Sequence, residues 1–293
     1  MLSVDQPLVF CVILNWNGWR DTNACLNALQ DCTYRRLHVL VVDNGSTDNS
    51  PMKIREAHPS VQLIETKENL GFAGGNNIGI RQAIHRGADY IWLLNNDTEP
   101  RPDALCKLVE KARTSERIGA VSSVCFYATK PNAIQVWGGT RVNLWIGYTK
   151  NSIIPRADEW FDALYGASLL LNAQALENVG ILDEGFFLYW EETEMCLRLR
   201  KYGWKLAAAR DSHVLHKVNG STDGNGKSRD RYFTASGLRI LHLYSMIPPL
   251  SMFFFIANRI AKRLARLDFS QIDSIASGIS DYAKQRPVMQ KIV

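Results

Sequence analysis

Four short apolar runs in the first hundred residues constrain this chain more than any other feature. Residues 8–14, 37–42, 61–64 and 90–94 are rich in Val, Ile and Leu and are too short for buried helices. Between them, residues 20–30, 47–57, 73–86 and 102–112 read as helices. Continuous apolar strands alternating with helices predict βαβ units and a mostly parallel sheet with helices on both faces, so the expected fold class is α/β.

Polar clusters mark the ends of these runs. The first stops in Asn15-Trp16-Asn17, the second in Asp43-Asn44-Gly45 and the fourth in Asn95-Asn96-Asp97; "NLGFAGGNN" follows the third. Ligands of open parallel sheets bind outside the carboxyl ends of the strands, so four clusters at one edge predict one site. Asp97 is a hard oxygen ligand suited to Mg²⁺ or Mn²⁺, and Pro100 and Pro102 are expected to end the strand and open the next helix. The glycines at 71, 74, 75 and 79 lack the GxGxxG spacing and follow the wrong strand for a dinucleotide fingerprint. They stand either as turn residues or as a close backbone approach to a ligand.

In the second half, residues 165–180 read as a strand running into a short helix. Residues 191–204 read as a helix opening in acids and closing in Arg198, Arg200 and Lys201, with Gly203 as its stop. Glu191, Glu192 and Glu194 crowd its first turn; a desolvated carboxylate there has a raised pKa and suits a general base. For Glu194 a solvated, dipole-complementing place is expected instead. "KLAAA" reads as a further strand, and His213 and His216 follow it.

Composition excludes several classes. With 46% hydrophobic and 22% charged residues the chain is globular. Six scattered cysteines without a CxxC pair predict free thiols in a reducing compartment. The N-terminal apolar run lacks a basic start and reads as a strand rather than a signal peptide, so a cytoplasmic location is expected. The formal charge of +5 is local: residues 227–266 carry eight Lys or Arg against Asp230 alone, leaving −2 for the rest. No nucleic-acid partner is expected, because this segment lacks aromatics arranged for stacking. Within 245–267, Arg259, Lys262, Arg263 and Arg266 form one helical stripe, beside Phe253, Ile256, Ile260, Leu264 and Leu267. Two readings stand: an amphipathic helix on an anionic membrane surface at the inner face of the cytoplasmic membrane, or a helix packed on the domain with a solvated basic edge. Pro248 and Pro249 argue against a span, and residues 268–293 carry no pattern.

Taken in order, "ILNWNG", "VVDNGSTD", "NLGFAGGNNIGI", "LLNNDTEP", "YGASLLLN", "GILDEGFFLYWEETEMCLRLRKYGW" and "HKVNGST" resemble the inverting family 2 glycosyltransferases of GT-A fold, most closely the bacterial rhamnosyltransferase-like branch. The resemblance spans roughly residues 8–222. It implies a catalytic domain over 1–226, with a nucleotide-binding half (1–100) and an acceptor and catalytic half (101–226), followed by a basic helical extension (227–293). It implies a nucleotide-sugar site built from Asn15, Asn17, Asp43, Asn69, Gly71, Gly74, Asn76, Asn95 and Asn96. Asp97 matches the last acid of the family's DxD motif and, with His216, would hold a divalent metal (Mg²⁺ or Mn²⁺); Asn95 departs from the motif's first acid. Glu191-Glu192 stands where relatives carry an "ED" pair, which makes Glu192 the catalytic base and Glu191 the second choice. The implied reaction is a single inverting displacement, moving L-rhamnose from dTDP-rhamnose to a hydroxyl of a cell-surface polysaccharide or lipid-linked glycan precursor. Another donor (UDP-hexose or UDP-galactofuranose) and a non-catalytic nucleotide-sugar-binding scaffold are the alternatives; oligomeric state is not indicated.

Overall fold

The computed structural model describes residues 6–217 and 226–284. Most of "HKVNGST", from Val218 onward, and residues 285–293 lie outside the described residues. The elements run in the order β1 (Val9–Asn15), α1 (Trp19–Gln30), β2 (Leu37–Asp43), α2 (Ser50–Ala57), β3 (Gln62–Glu65), α3 (Gly71–His85), β4 (Tyr90–Asn95), β5 (Thr98–Pro100) and α4 (Ala104–Ala112). There follow β6 (Ile118–Tyr127), β7 (Lys130–Trp137), β8 (Gly139–Asn143), β9 (Tyr148–Asn151), β10 (Ala163–Leu164), β11 (Ser168–Asn172), α5 (Ala173–Val179), α6 (Glu191–Lys201) and β12 (Lys205–His216). Helices α7 (Gly226–Tyr244), α8 (Pro248–Ala265) and α9 (Ile272–Lys284) close the described chain.

One sheet has the order β3-β2-β1-β4-β11-β6-β12-β5, with β7 beside β6; β8, β9 and β10 form a small second sheet. Strands β1 to β4 are parallel, and β12 runs parallel to β6. Strand β11 is inserted antiparallel between β4 and β6, so β6 and β12 point the same way as β1 and β4. The carboxyl ends of β1, β2, β4, β6 and β12 therefore share one edge. Two apolar clusters cover the two faces of the sheet, one under α3 and α6 and one under α1 and α4. Burial on both faces is why these strands are apolar throughout.

Three local outcomes differ from the expectations. Helix α3 begins at Gly71, two residues before the expected start, and Gly74, Gly75 and Gly79 serve helix packing where a turn or a ligand approach was expected of them. A β-carbon at Gly79 would overlap Val12, and one at Gly75 would overlap Leu14; glycine lets α3 press directly onto β1. Pro100 sits within β5, a strand at the sheet's edge where a missing N–H is tolerated, and α4 opens only at Ala104. "KLAAA" is the first part of a longer strand, β12, whose register shifts between Ala209 and His213 and then runs on to His216.

Candidate active site at the carboxyl edge of the sheet

The parallel register sets Asn15 opposite Asp43. Asn15 Nδ2 donates to Asp43 Oδ1 at 2.6 Å, and the Ser46 hydroxyl donates to the same oxygen at 2.7 Å. Asn17, at φ 51°, accepts from the backbone N–H groups of Thr47 and Asp48. Asn15, Asn17 and Asp43 thus brace one another across two strand ends. Gly45 (φ 68°) turns the chain just after β2, where a β-carbon would lie 2.7 Å from Glu68 Cα. Asn44 and Asn69 join the loops that follow β2 and β3 through Nδ2–Oδ1 at 3.0 Å. Gly71, at φ 74°, leaves no room for a β-carbon against Phe187, whose carbonyl accepts from Phe72 N–H at 2.6 Å.

A cavity of about 590 Å³ opens at this edge. Asn69, Gly71, Asn76, Asn95, Asn96, Asp97, Glu191 and Glu192 all line it, whereas Asn15, Asn17, Asp43, Gly74 and His216 do not. The structure adds residues that sequence reasoning missed: Tyr165, Gly166, Phe187, and from α7 Ser228, Arg229, Tyr232 and Phe233. Trp16, in the Asn15-Trp16-Asn17 cluster expected at this edge, also lines the cavity. A second cleft, lined by Arg117, Gln174 and Trp204 among others, lies by the starts of β6 and β12 and gathers none of these side chains.

The pairing of β5 with β12 explains the centre of the site. Thr98 lies opposite His216 in that antiparallel register, and Lys217 N–H donates to the Asp97 carbonyl at 2.9 Å. Asp97 and His216, far apart in sequence, thereby meet with Oδ1 and Nε2 3.3 Å apart, and both are nearly buried (5% and 7% exposed). His216 Nδ1 lies 3.0 Å from Gln135 Oε1 on β7. With the amide oxygen as acceptor, Nδ1 carries the proton and the Nε2 lone pair faces Asp97. Asp97 Oδ1 has no hydrogen-bond partner among the described residues. Two electron-pair donors facing each other in a buried place fit a cation between them. No cluster of three or more His, Cys, Asp or Glu ligands occurs among the described residues. A cation here would draw further ligands from a bound phosphate, the usual arrangement for Mg²⁺.

On the same cavity, Glu191 and Glu192 open α6. Tyr189 and Trp190 before them are both left-handed, at φ 69° and 72°. Such residues are rare in succession and persist only where packing holds them. The packing is visible: Phe186 and Trp190 share an apolar cluster with Leu238, Leu241 and Phe255. Arg239, 4% exposed, grips the Asp183 carboxylate ahead of the bend with contacts of 2.7 and 3.0 Å. Glu191 and Glu192 each leave Oε2 without a partner among the described residues. Burial holds both carboxyls above their usual range, and the Glu192 charge raises Glu191 further. Gly166 makes room for Glu192, whose Cγ would lie 3.2 Å from a β-carbon there. Burial likewise raises the Tyr165 phenol, with Cys125, Glu192 and Asp97 acting in the same direction, which puts Glu192 on the Asp97 side of the cavity. Glu194 is buried rather than solvated: it accepts from Arg198 at 2.7 and 3.0 Å and from the Tyr244 hydroxyl at 2.7 Å. His213 lies 3.1 Å from the Arg210 carbonyl, away from the cavity.

Comparison with known proteins gives the family and the fold. An N-acetylglucosaminyl-diphospho-decaprenol L-rhamnosyltransferase of Mycobacterium tuberculosis is 28% identical over 220 residues, 67% of this chain and 72% of that one. The dTDP-rhamnosyl transferase RfbF of Shigella flexneri is 24% identical over 72% of this chain and 69% of its own length. Galactofuranosyltransferase GlfT1 of M. tuberculosis is 24% identical over 71% and 69%. Among solved structures, the mannosyltransferase PcManGT from Pyrobaculum calidifontis, in complex with GDP-Man and Mn²⁺, superposes with a TM-score of 0.60 at 17% identity, covering 97% of this chain and 77% of that one. GalNAc-T7 with UDP, GalNAc and Mn²⁺ gives 0.67 at 12% identity, covering 96% and 57%. These likenesses give the GT-A fold. Residues 10–169, more than half of the chain, match Glycosyl transferase family 2, and the chain belongs to that family of glycosyltransferases.

Proposed function

We propose that this glycosyltransferase moves L-rhamnose from dTDP-rhamnose onto a hydroxyl of a cell-surface polysaccharide or lipid-linked glycan precursor. The observation that carries the chemistry is one cavity lined by two carboxylates with unpartnered oxygens: Asp97 Oδ1, beside His216 Nε2, and Glu192 Oε2. Asp97 and His216 hold Mg²⁺ or Mn²⁺, which when bound offsets the negative charge of the nucleotide diphosphate. Asn69, Asn76, Asn95 and Asn96 offer the donor neutral hydrogen-bonding groups from the cavity wall. Asn15, Asn17 and Asp43 form the rigid frame behind the nucleotide. Glu192 accepts the proton of the acceptor hydroxyl as that oxygen attacks the anomeric carbon, the bond to the diphosphate breaks, and the configuration inverts. A carboxylate with a raised pKa is a stronger base, which suits it to this step near neutral pH. Glu191 is the alternative base, since its Oε2 is equally unpartnered.

Rhamnose rests on the two relatives named as rhamnosyltransferases. UDP-galactofuranose is the second donor, because GlfT1 is as similar as RfbF. Among the described residues no helix is long and apolar enough to cross a membrane. A peripheral place on the inner face of the cytoplasmic membrane completes the reading. Calorimetry with dTDP-rhamnose, UDP-galactofuranose, UDP-glucose and GDP-mannose, each with and without Mn²⁺, tests it. Selective, Mn²⁺-dependent binding of dTDP-rhamnose is expected; metal-independent binding, or preference for another sugar, would refute the metal or the donor respectively.

A further inference from the structure

Helix α8 is turned the opposite way from an ordinary surface helix. Its inner face carries Phe255, whose ring lies 6.3 Å from that of Phe233 on α7. The same face carries Arg259 and Arg263, which donate to the buried Asp230 carboxylate at 2.7 and 2.6 Å. Two of the four cations of the expected basic stripe therefore face the protein. The outer face holds Leu250, Phe253, Phe254 and Leu264, all exposed, with exposed Ala257 and Ala261 between them. At helical spacing this is one continuous stripe without a charge, and Phe253 is 64% exposed. Soluble surfaces seldom leave such a stripe bare.

A second exposed group adjoins it. The turn between β8 and β9 rests on α8 through Gly147, at φ 59°, where a β-carbon would overlap the Phe255 ring. Trp145, Ile146 and Tyr148 around that glycine are exposed. The next residue, Thr149, lines the catalytic cavity, as does Phe233. Lys150, Lys262 and Arg266 are exposed near these residues and make no ion pair among the described residues.

We propose that the outer face of α8 and the tip of the β8–β9 hairpin form one surface that docks on an anionic lipid bilayer and brings the cavity mouth to the lipid–water interface. The proposal rests on the lipid-linked acceptor reading above and assigns the surface that meets the lipid. Trp and Tyr settle at headgroup level, Phe and Leu enter the acyl boundary, and unpaired Lys and Arg meet anionic headgroups. A second copy of this chain fits less well, because protein–protein interface cores are depleted of lysine.

Sedimentation of the full chain with vesicles tests this, using phosphatidylcholine alone or with about a third phosphatidylglycerol. The full chain is expected to sediment with the anionic vesicles and to remain in solution with the neutral ones. The double variants Phe253→Ser/Phe254→Ser and Trp145→Ser/Tyr148→Ser should each lower partitioning about tenfold or more. Lys262→Glu/Arg266→Glu should lose most of the dependence on phosphatidylglycerol. None of these residues lines the cavity, so nucleotide-sugar binding by calorimetry should be unchanged in every variant. A full chain that stays in solution with anionic vesicles, or variants that sediment as well as it does, would overturn the proposal. So would a dimer in size-exclusion chromatography that the same substitutions dissolve. Vesicle binding without any nucleotide-sugar binding would leave this surface standing and remove the donor reading instead.

Discussion

At the scale of single residues, the proposed chemistry rests on Asp97, Glu191 and Glu192, whose carboxylates each leave one oxygen without a partner among the described residues. Gln135 Oε1, 3.0 Å from His216 Nδ1, orients the ring whose Nε2 faces Asp97. Gln135→Leu should therefore weaken Mn²⁺-dependent donor binding about 10–100-fold, the usual effect of losing the group that orients a ligating histidine. A Mn²⁺ titration of donor affinity measures it, with metal-free affinity as the internal control. Glu192→Gln should lower turnover about 10²–10⁴-fold while leaving donor affinity within about threefold, since only the proton acceptor is lost. The acid limb of the wild-type rate profile should lie above the ordinary carboxylate value of 4.5, because burial raises this carboxyl. The same shift has a stability consequence. A carboxyl whose folded-state pKa is raised is fully compatible with folding below 4.5 and increasingly opposes it as pH rises through the raised value. Glu191→Gln should accordingly raise the melting temperature at pH 8 and leave it nearly unchanged at pH 4, as differential scanning calorimetry would show.

At the scale of elements, helix α3 owes its position to glycines that ordinary helix propensity disfavours. Glycine costs a helix interior about 1 kcal/mol relative to alanine. Here alanine would place a methyl group inside Val12 at position 79. Gly79→Ala should lower stability by about 1–3 kcal/mol, read from the urea midpoint, because overpacking outweighs the gain in propensity. A neutral or stabilising result would mean that β1 and α3 can separate without cost. The helix itself was legible in the sequence, since its apolar period is local. Its glycines were not, because their reason is the surface of another strand. Glu194 shows the same limit: three acids at a helix start look alike until Arg198 and Tyr244 are seen to claim one of them.

At the scale of the whole molecule, the C-terminal helices are part of the catalytic body. Leu238, Leu241 and Phe255 share an apolar cluster with Phe186 and Trp190, and Arg239 on α7 ties to Asp183. Thermal unfolding should show one transition, coincident in far- and near-ultraviolet circular dichroism. A separate earlier transition for the C-terminal helices would contradict this. The first hundred residues were read correctly as strands and helices, and their polar ends as one edge, because period and punctuation are carried by neighbours in the chain. The segment 118–151 went unread, since its strands β6 to β9 are shaped by distant partners. Sequence alone determined that an α/β sheet would present Asn95, Asn96, Asp97, Glu191 and Glu192 as candidates for one chemistry. Tertiary structure alone decided that β5 pairs with β12 to set His216 beside Asp97, that Gln135 meets the histidine's other ring nitrogen, and that α8 turns two of its arginines inward. Each of these depends on which surfaces meet across long stretches of chain, and that information resides in the packing of the whole and not in any local pattern.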